Sequence, residues 1–285
     1  MNFRGRKEVF MRFVRAAVII IFILSLGIFG VSQVVELQNR DPHVPEITSD
    51  REVLEIPCEY TEEQLTEGLT ATDQEDGDLT AQIVAGSFSR FIEPGVCNLT
   101  YVAFDSANQP GTLTRQVKFT DYHSPRFTLT EPLVFTEGEG SYSEVMSRLG
   151  ASDQLDGNLS DWITQTDTDV NYQRAGSYTA TFGVSNSFGD TVSQGLPVHV
   201  VAAEGHSLDI LLNTGIVYIE KGGAVDAAAY IEELLDTQGD NLDTGLITSE
   251  SNVDPQTPGC YEIHYQAADD QGNAGETWLT VIVEE

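Results

Sequence analysis

"EPGVCNLTYVAFDSANQ", residues 93 to 109, decides the fold. After Gly95 the apolar positions fall on every second residue, at Cys97, Leu99, Tyr101 and Ala103. A period of two is that of a strand with one buried face. The run ends in a small polar loop from Asp105, and a second alternation follows with Val117 and Phe119. Two such runs joined by a short loop read as an antiparallel hairpin. The pattern returns as "RAGSYTATFGVSNSFGD" (174–190) and "TPGCYEIHYQAADDQGN" (257–273), with inward positions Tyr178, Ala180, Phe182 and Val184, then Tyr261, Ile263, Tyr265 and Ala267. Their second runs carry Val198 and Val200, then Val281 and Val283, so the hairpin has one length in all three copies.

The repeat extends upstream of the hairpin. "DPHVPEI" at 41 becomes "DYHSPRF" at 121, and "ATDQEDGDLTAQI" at 71 becomes "ASDQLDGNLSDWI" at 151, each shifted by 80; "LDTQGDNLDTGLI" at 235 is a weaker third copy. Repeats of this length mark tandem modules. The expected division is a basic segment 1–15, an apolar helix 16–35, a linker 36–44, and modules 45–121, 122–203 and 204–285. Between the strands, "TEEQLTEGL", "SEVMSRLG" and "DAAAYIEELL" read as one short helix per module. The first opens on a Thr61-x-x-Gln64 capping box, and Asp226 is placed to cap the third.

Charge divides the chain unequally. Arg4, Arg6, Lys7, Arg12 and Arg15 stand in the first fifteen residues beside the single acid Glu8, which leaves the remainder at −35 within a total of −31. A body so acidic repels phosphate backbones, so nucleic acid is excluded as a partner. The basic start leads into residues 16 to 35, twenty positions without a charge. As a helix they span about 30 Å, the thickness of a bilayer's hydrocarbon core. The positive-inside rule then sets the N-terminus in the cytoplasm and the body outside. The alternative is a cleaved signal sequence, with Gly30 and Ser32 as small residues near a cleavage point, which makes the protein secreted.

The combined pattern, A-x-D-x-x-D-G-x-L, then P-G-x-Y-x-x-x-Y-x-A-x-D, then a Gly/Asn turn and a Val-rich strand, resembles the immunoglobulin-like repeats of bacterial surface proteins, also found in certain pesticidal crystal proteins. The first module carries it through Ala71, Asp73, Asp76, Gly77, Asp78, Leu79, Pro94, Gly95, Tyr101, Ala103 and Asp105. In the second, Asn158 and Asn186 stand where Asp is expected, and in the third Gly239 and Asp240 disturb the loop. The resemblance implies a mainly β protein of tandem immunoglobulin-like β-sandwich modules, each with a short helix, on a cell surface behind one transmembrane helix. It implies no catalytic activity.

In that topology the loop at 73–78 and the loop starting at Asp105 lie at one pole. Asp73, Asp76, Asp78 and Asp105 therefore form a candidate calcium site, with Asp41 entering from the linker and Asp121, Asp153 and Asp156 as a possible analogue at the next joint. The competing reading is a plain turn in which Asp caps its own backbone and Gly supplies positive φ. By the same topology Cys58 and Cys97 are placed for a disulfide, against two buried free thiols; Cys260 has no partner in the chain. The histidines form no zinc motif, and the acids of a solvated turn lack the cleft that paired-carboxylate catalysis needs. The expected function is non-catalytic adhesion or binding, to an extracellular protein or glycan, with an accessory brace of a membrane complex as the alternative.

Overall fold

The structure, a computed structural model, describes residues 3–38, 43–204 and 206–285. Asp41, a member of the expected calcium set, lies outside them. Helix α1 (Phe3–Gln38) contains one window, Val18–Val35, long and apolar enough to cross a membrane, at mean hydropathy 2.6. None of that window is buried within the molecule.

The rest is mainly strand. In chain order come β1 (Glu46–Ser49), β2 (Val53–Ile56), helix α2 (Glu62–Leu65), β3 (Leu69–Asp73), β4 (Gly77–Asp78), β5 (Val84–Phe88), β6 (Val96–Phe104) and β7 (Pro110–Phe119). Next are β8 (Arg126–Leu129), β9 (Val134–Thr136), helix α3 (Tyr142–Arg148), β10 (Leu149–Asp153), β11 (Gly157–Asn158), β12 (Thr164–Thr168), β13 (Gly176–Ser185) and β14 (Thr191–Val201). The last are β15 (Asp209–Leu212), β16 (Ile216–Glu220), β17 (Ile231–Leu235), β18 (Ile247–Ser251), β19 (Gly259–Ala268) and β20 (Ala274–Glu284).

These strands form three pairs of sheets in succession: β1-β3-β4 with β2-β7-β6-β5, β11-β10-β8 with β12-β13-β14-β9, and β15-β17 with β16-β20-β19-β18. In every four-stranded sheet the long hairpin is antiparallel and one short strand adds in parallel to its second arm: β2 to β7, β9 to β14 and β16 to β20. The hairpin loops Asp105–Gln109, Asn186–Asp190 and Asp269–Asn273 close with the same backbone bonds. In each, the fourth residue donates to the first, and its φ is positive: Asn108, Gly189 and Gly272.

The chain divides into two compact units, one of residues 1–52, 62–87 and 99–115, the other of 53–61, 88–98 and 116–285. In the first, β1 pairs with β3 through Ile47 opposite Ala71, and Leu99, Tyr101 and Ala103 are buried as the alternation requires. One inward position breaks the apolar rule. Arg115 is buried where the other copies have Leu196 and Leu279, and its guanidinium donates to the Leu65 and Glu67 carbonyls, Ser49 Oγ and the Tyr101 hydroxyl. Carbonyls at the end of α2 lack helical partners, and the arginine satisfies them.

In the second unit, one core joins Phe127, Leu149 and Ala151 of the small sheet to Phe182, Val184 and Val198 of the larger one. That is a sandwich, two sheets sealed by their inward faces. Helix α3 is capped by Ser141, whose hydroxyl accepts from the Glu144 N–H and donates to the Glu144 carboxylate. The third expected helix is not formed beyond one turn. Asp226 caps a short 3-10 turn, Ala227–Tyr230, after which the chain continues as β17. Pairing Leu234 with Ile210 buries Leu234 completely in the core shared with Leu208, Tyr265 and Leu279, which outweighs the helical preference of an Ala/Glu/Leu stretch.

The disulfide expectation is also corrected. Cys58 and Cys97 are both buried free thiols. The Cys58 backbone N–H is held by Asp121 Oδ1 at 2.7 Å and its Sγ faces Gln154 Oε1 at 3.9 Å, while Cys97 is packed inside β6. Burial pushes the Cys58 thiol up to about 12 and Cys97 to about 11. Cys260 is exposed.

The third sheet pair shares its packing with the second. Ile216 and Ile282 belong to the core of Phe127 and Phe182, and the Tyr218 hydroxyl accepts the Phe127 N–H at 2.9 Å. Arg126 pairs with Glu284 and lies over the Tyr218 ring. Gly215 fits only without a side chain, since a Cβ there would stand 2.4 Å from the Glu131 carbonyl oxygen. Ile282→Ala is therefore expected to cost about 3 kcal/mol and to lower the unfolding transition of residues 122–203 together with that of 204–285. Hydrogen exchange resolved by residue checks this, an effect confined to 204–285 being the contrary result.

Candidate functional site in the acidic turns

The turn at 73–78 is built by its own carboxylates. Asp73 Oδ1 accepts the Glu75 and Asp76 N–H groups at 2.9 and 3.0 Å, and Gly77 takes a φ of 77° that a side chain would resist. Asp78 Oδ1 accepts the Thr80 N–H at 2.9 Å and Asp76 Oδ2 accepts the Ser106 N–H at 2.7 Å. That last bond ties the turn to the β6–β7 loop, where Asp105 Oδ1 accepts the Gln109 N–H at 2.7 Å. Asp76 thus links the turn to the loop of Asp105, while Asp78 is engaged only with Thr80. Asp73 and Asp105 are buried; Asp76 and Asp78 are exposed.

The Asp76 N–H, opposed by burial and aided by the Glu75 and Gln74 N–H groups, holds the Asp73 carboxyl below the usual carboxylate range. The Thr80 hydroxyl and N–H lower Asp78 likewise. Near them His43 Nδ1 meets Glu75 Oε1 at 2.8 Å. Among the described residues no group of three or more His, Cys, Asp or Glu side chains is placed to hold a metal ion.

The second turn uses the same frame. Asp153 Oδ1 accepts from Leu155 and Asp156, Asn158 Oδ1 from Ser160, and Asp156 from the Ser187 N–H and hydroxyl. Here Asn186 Nδ2 donates to Asp153 Oδ2 at 3.1 Å and to the Tyr122 hydroxyl at 2.9 Å. Tyr122 in turn donates to Asp190 at 2.7 Å. Asp121 is engaged with the Cys58 N–H, which lowers its pKa foremost. The second turn is therefore a satisfied hydrogen-bond network. Beside it, Phe91 stacks on Phe188 at 4.7 Å between ring centres, with Phe88, Phe119 and Tyr122 around them.

Two features lay beyond the sequence reading. Trp278 is stacked between His199 and His264 at 4.0 and 4.2 Å, and the outer nitrogens of those rings meet Glu262 and Glu276. The strand register, His264 opposite Trp278, gives half of that stack, but His199 comes from another repeat and no spacing announces it. A cleft of about 620 Å³, lined by Glu204, His206, Thr248, Gln266 and Glu276, lies alongside.

This architecture is mainly β, of tandem sheets with an immunoglobulin-like hairpin pattern. Residues 207–283 match the family described as bacterial surface protein, Ig-like domain. An 81.3 kDa protein of Acholeplasma phage L2 is 33% identical over 145 residues, which are 49% of this chain and 19% of that one. The pesticidal crystal protein Cry22Aa of Bacillus thuringiensis is 24% identical over 221 residues, 75% of this chain and 29% of that protein. The chain thus spans under a third of the length of these relatives. Solved structures that match include the M60 catalytic domain with two CBM51 domains of Clostridium perfringens ZmpB, at 14% identity, 84% of this chain, 30% of that chain and TM-score 0.23. Domains 4–9 of the surface layer protein SbsC give 10% identity, 83% of this chain, 49% of that chain and TM-score 0.20. Scores this low carry no functional argument.

Asp153→Ala removes the acceptor of two turn N–H groups and the partner of Asn186. The expected loss is about 2 kcal/mol, read as a lower denaturant midpoint with unchanged slope; an unchanged midpoint contradicts the structural role of this carboxylate.

Proposed function

We propose that the chain is a non-catalytic protein displayed outside the cell, its N-terminal helix anchoring three tandem immunoglobulin-like modules, 45–121, 122–203 and 204–285, to the outer face of the membrane. The observation that carries this reading is the match of residues 207–283 to a family defined by bacterial surface proteins. The unburied apolar window Val18–Val35 supports the anchor, since so large an apolar face needs a nonaqueous partner. The basic residues before the window favour a cytoplasmic N-terminus.

The modules present a surface for adhesion to an extracellular protein or glycan. Strong negative charge suits a basic or cation-bridged target and repels anionic ones. A brace within an envelope complex is the second reading. It is favoured by the shared core of Ile216 and Ile282, which stiffens the joint between residues 122–203 and 204–285 as a spacer requires.

Two measurements separate these readings. The full chain is expected to stay in membranes through alkaline carbonate washing, and protease added to intact cells should remove the body; release into the medium of a chain starting near residue 33 would replace the anchor with a cleaved signal. Saturable binding of residues 43–285 to foreign cells supports adhesion, whereas a stoichiometric membrane partner recovered with the full chain from its own cells supports the brace.

A further inference from the structure

We propose that the first acidic turn holds a hard divalent cation of the calcium class between Asp73 Oδ2 and Asp105 Oδ2, and that the second and third turns do not. Both carboxyl groups are more than nine-tenths buried, at 8% and 7% exposure. Among the described residues neither Oδ2 atom has a hydrogen-bond partner. Buried polar atoms in folded proteins are paired, and an unpaired pair of acidic oxygens calls for a proton or a cation.

The chain contains its own control. The bonds framing the first two turns match atom for atom: Asp73 and Asp153 each accept from the second and third following N–H groups through Oδ1. Asp76 and Asp156 each accept from the Ser after the hairpin's last strand residue pair, Ser106 and Ser187. Asp105 and Asn186 each accept from the fourth following N–H through Oδ1. With the frames equal, Asp105 Oδ2 occupies the place of Asn186 Nδ2. In the second turn that nitrogen donates to Asp153 Oδ2 at 3.1 Å. In the first turn, therefore, an acceptor oxygen stands where the second turn has a donor nitrogen.

The third turn resolves the same problem differently, with Asn273 Nδ2 donating to Asp269 Oδ2 at 2.6 Å. Only the first copy replaces a neutral amide by a second acid without a described donor. Asp73 Oδ1 is already committed to the Glu75 and Asp76 N–H groups, which leaves Oδ2 as the atom open to a cation. Glu75, Asp76 and Asp78 add negative charge around the pair, against His43, which is bonded to Glu75. An all-oxygen donor set selects a hard cation. Two carboxylates, with backbone oxygens and water completing the shell, set the dissociation constant at the weak end of extracellular sites, about 10⁻³ M.

The test uses the full chain in detergent, titrated with calcium chloride by calorimetry near neutral pH and melted with and without ~10 mM calcium, about ten times that constant. The expected result is one equivalent bound and a raised melting midpoint. Asp105→Asn, which copies the second turn, should abolish both and melt no lower than the natural chain without calcium. The reciprocal Asn186→Asp should gain a second equivalent, and it serves where Asp105→Asn fails to fold. No heat and no shift in the natural chain, or the same shift in Asp105→Asn, overturns the proposal. A natural chain blind to calcium but more stable at about pH 5 assigns the oxygens to a shared proton and overturns it as well.

Discussion

A carboxylate oxygen accepting two consecutive backbone N–H groups is the constraint on which the first two acidic turns rest. Asp73 and Asp153 both do this through Oδ1, and the same residues lead their sheets into the glycine that reverses the chain. A buried N–H without an acceptor costs as much as a lost hydrogen bond, so the aspartate at this position is structural before it is anything else. The following Asp then ties the turn to the hairpin loop, through Ser106 or Ser187. Two acids per turn thus fasten one end of the small sheet to the hairpin of the large one.

Much of this was legible in the sequence because it is local or repeated. Period-two runs gave the hairpin strands, and comparing copies separated the residues that make the turn, Asp73, Asp76 and Gly77, from the excess at Glu75 and Asp78. Asp78 proves to be a backbone cap for Thr80 rather than part of a buried set. The failures have physical causes. Asp226 followed by three alanines is a helix signal, but Leu234 gains more from the core opposite Ile210. Cys58 and Cys97 are buried free thiols, and Asp121 and Gln154 engage Cys58 instead. Arg115 and the His199–Trp278–His264 stack depend on partners far away in sequence, for which no short-range pattern exists.

Within residues 116–285 neighbouring sheet pairs are joined by shared side chains. Between residues 122–203 and 204–285 the apolar side chains Ile216 and Ile282 enter a neighbour's core, so these two sheet pairs do not behave as beads on a string. Near Cys58 the contacts are a ring cluster and single hydrogen bonds, Phe91 on Phe188 and Cys58 on Asp121. Burial of aromatic surface contributes most there, and the Asp121 bond adds stability that is present above the carboxylate's unfolded pKa and is lost as pH falls through its lowered folded value.

The central claim is that turn acids are architectural in every copy and that only the first copy carries charge left over. A crystal structure of the chain grown in calcium tests it most directly. The account predicts one cation at 2.3–2.6 Å from Asp73 Oδ2 and Asp105 Oδ2, and at the second turn the Asn186 amide still on Asp153. An empty first turn, or equal cation density at both turns, would contradict it.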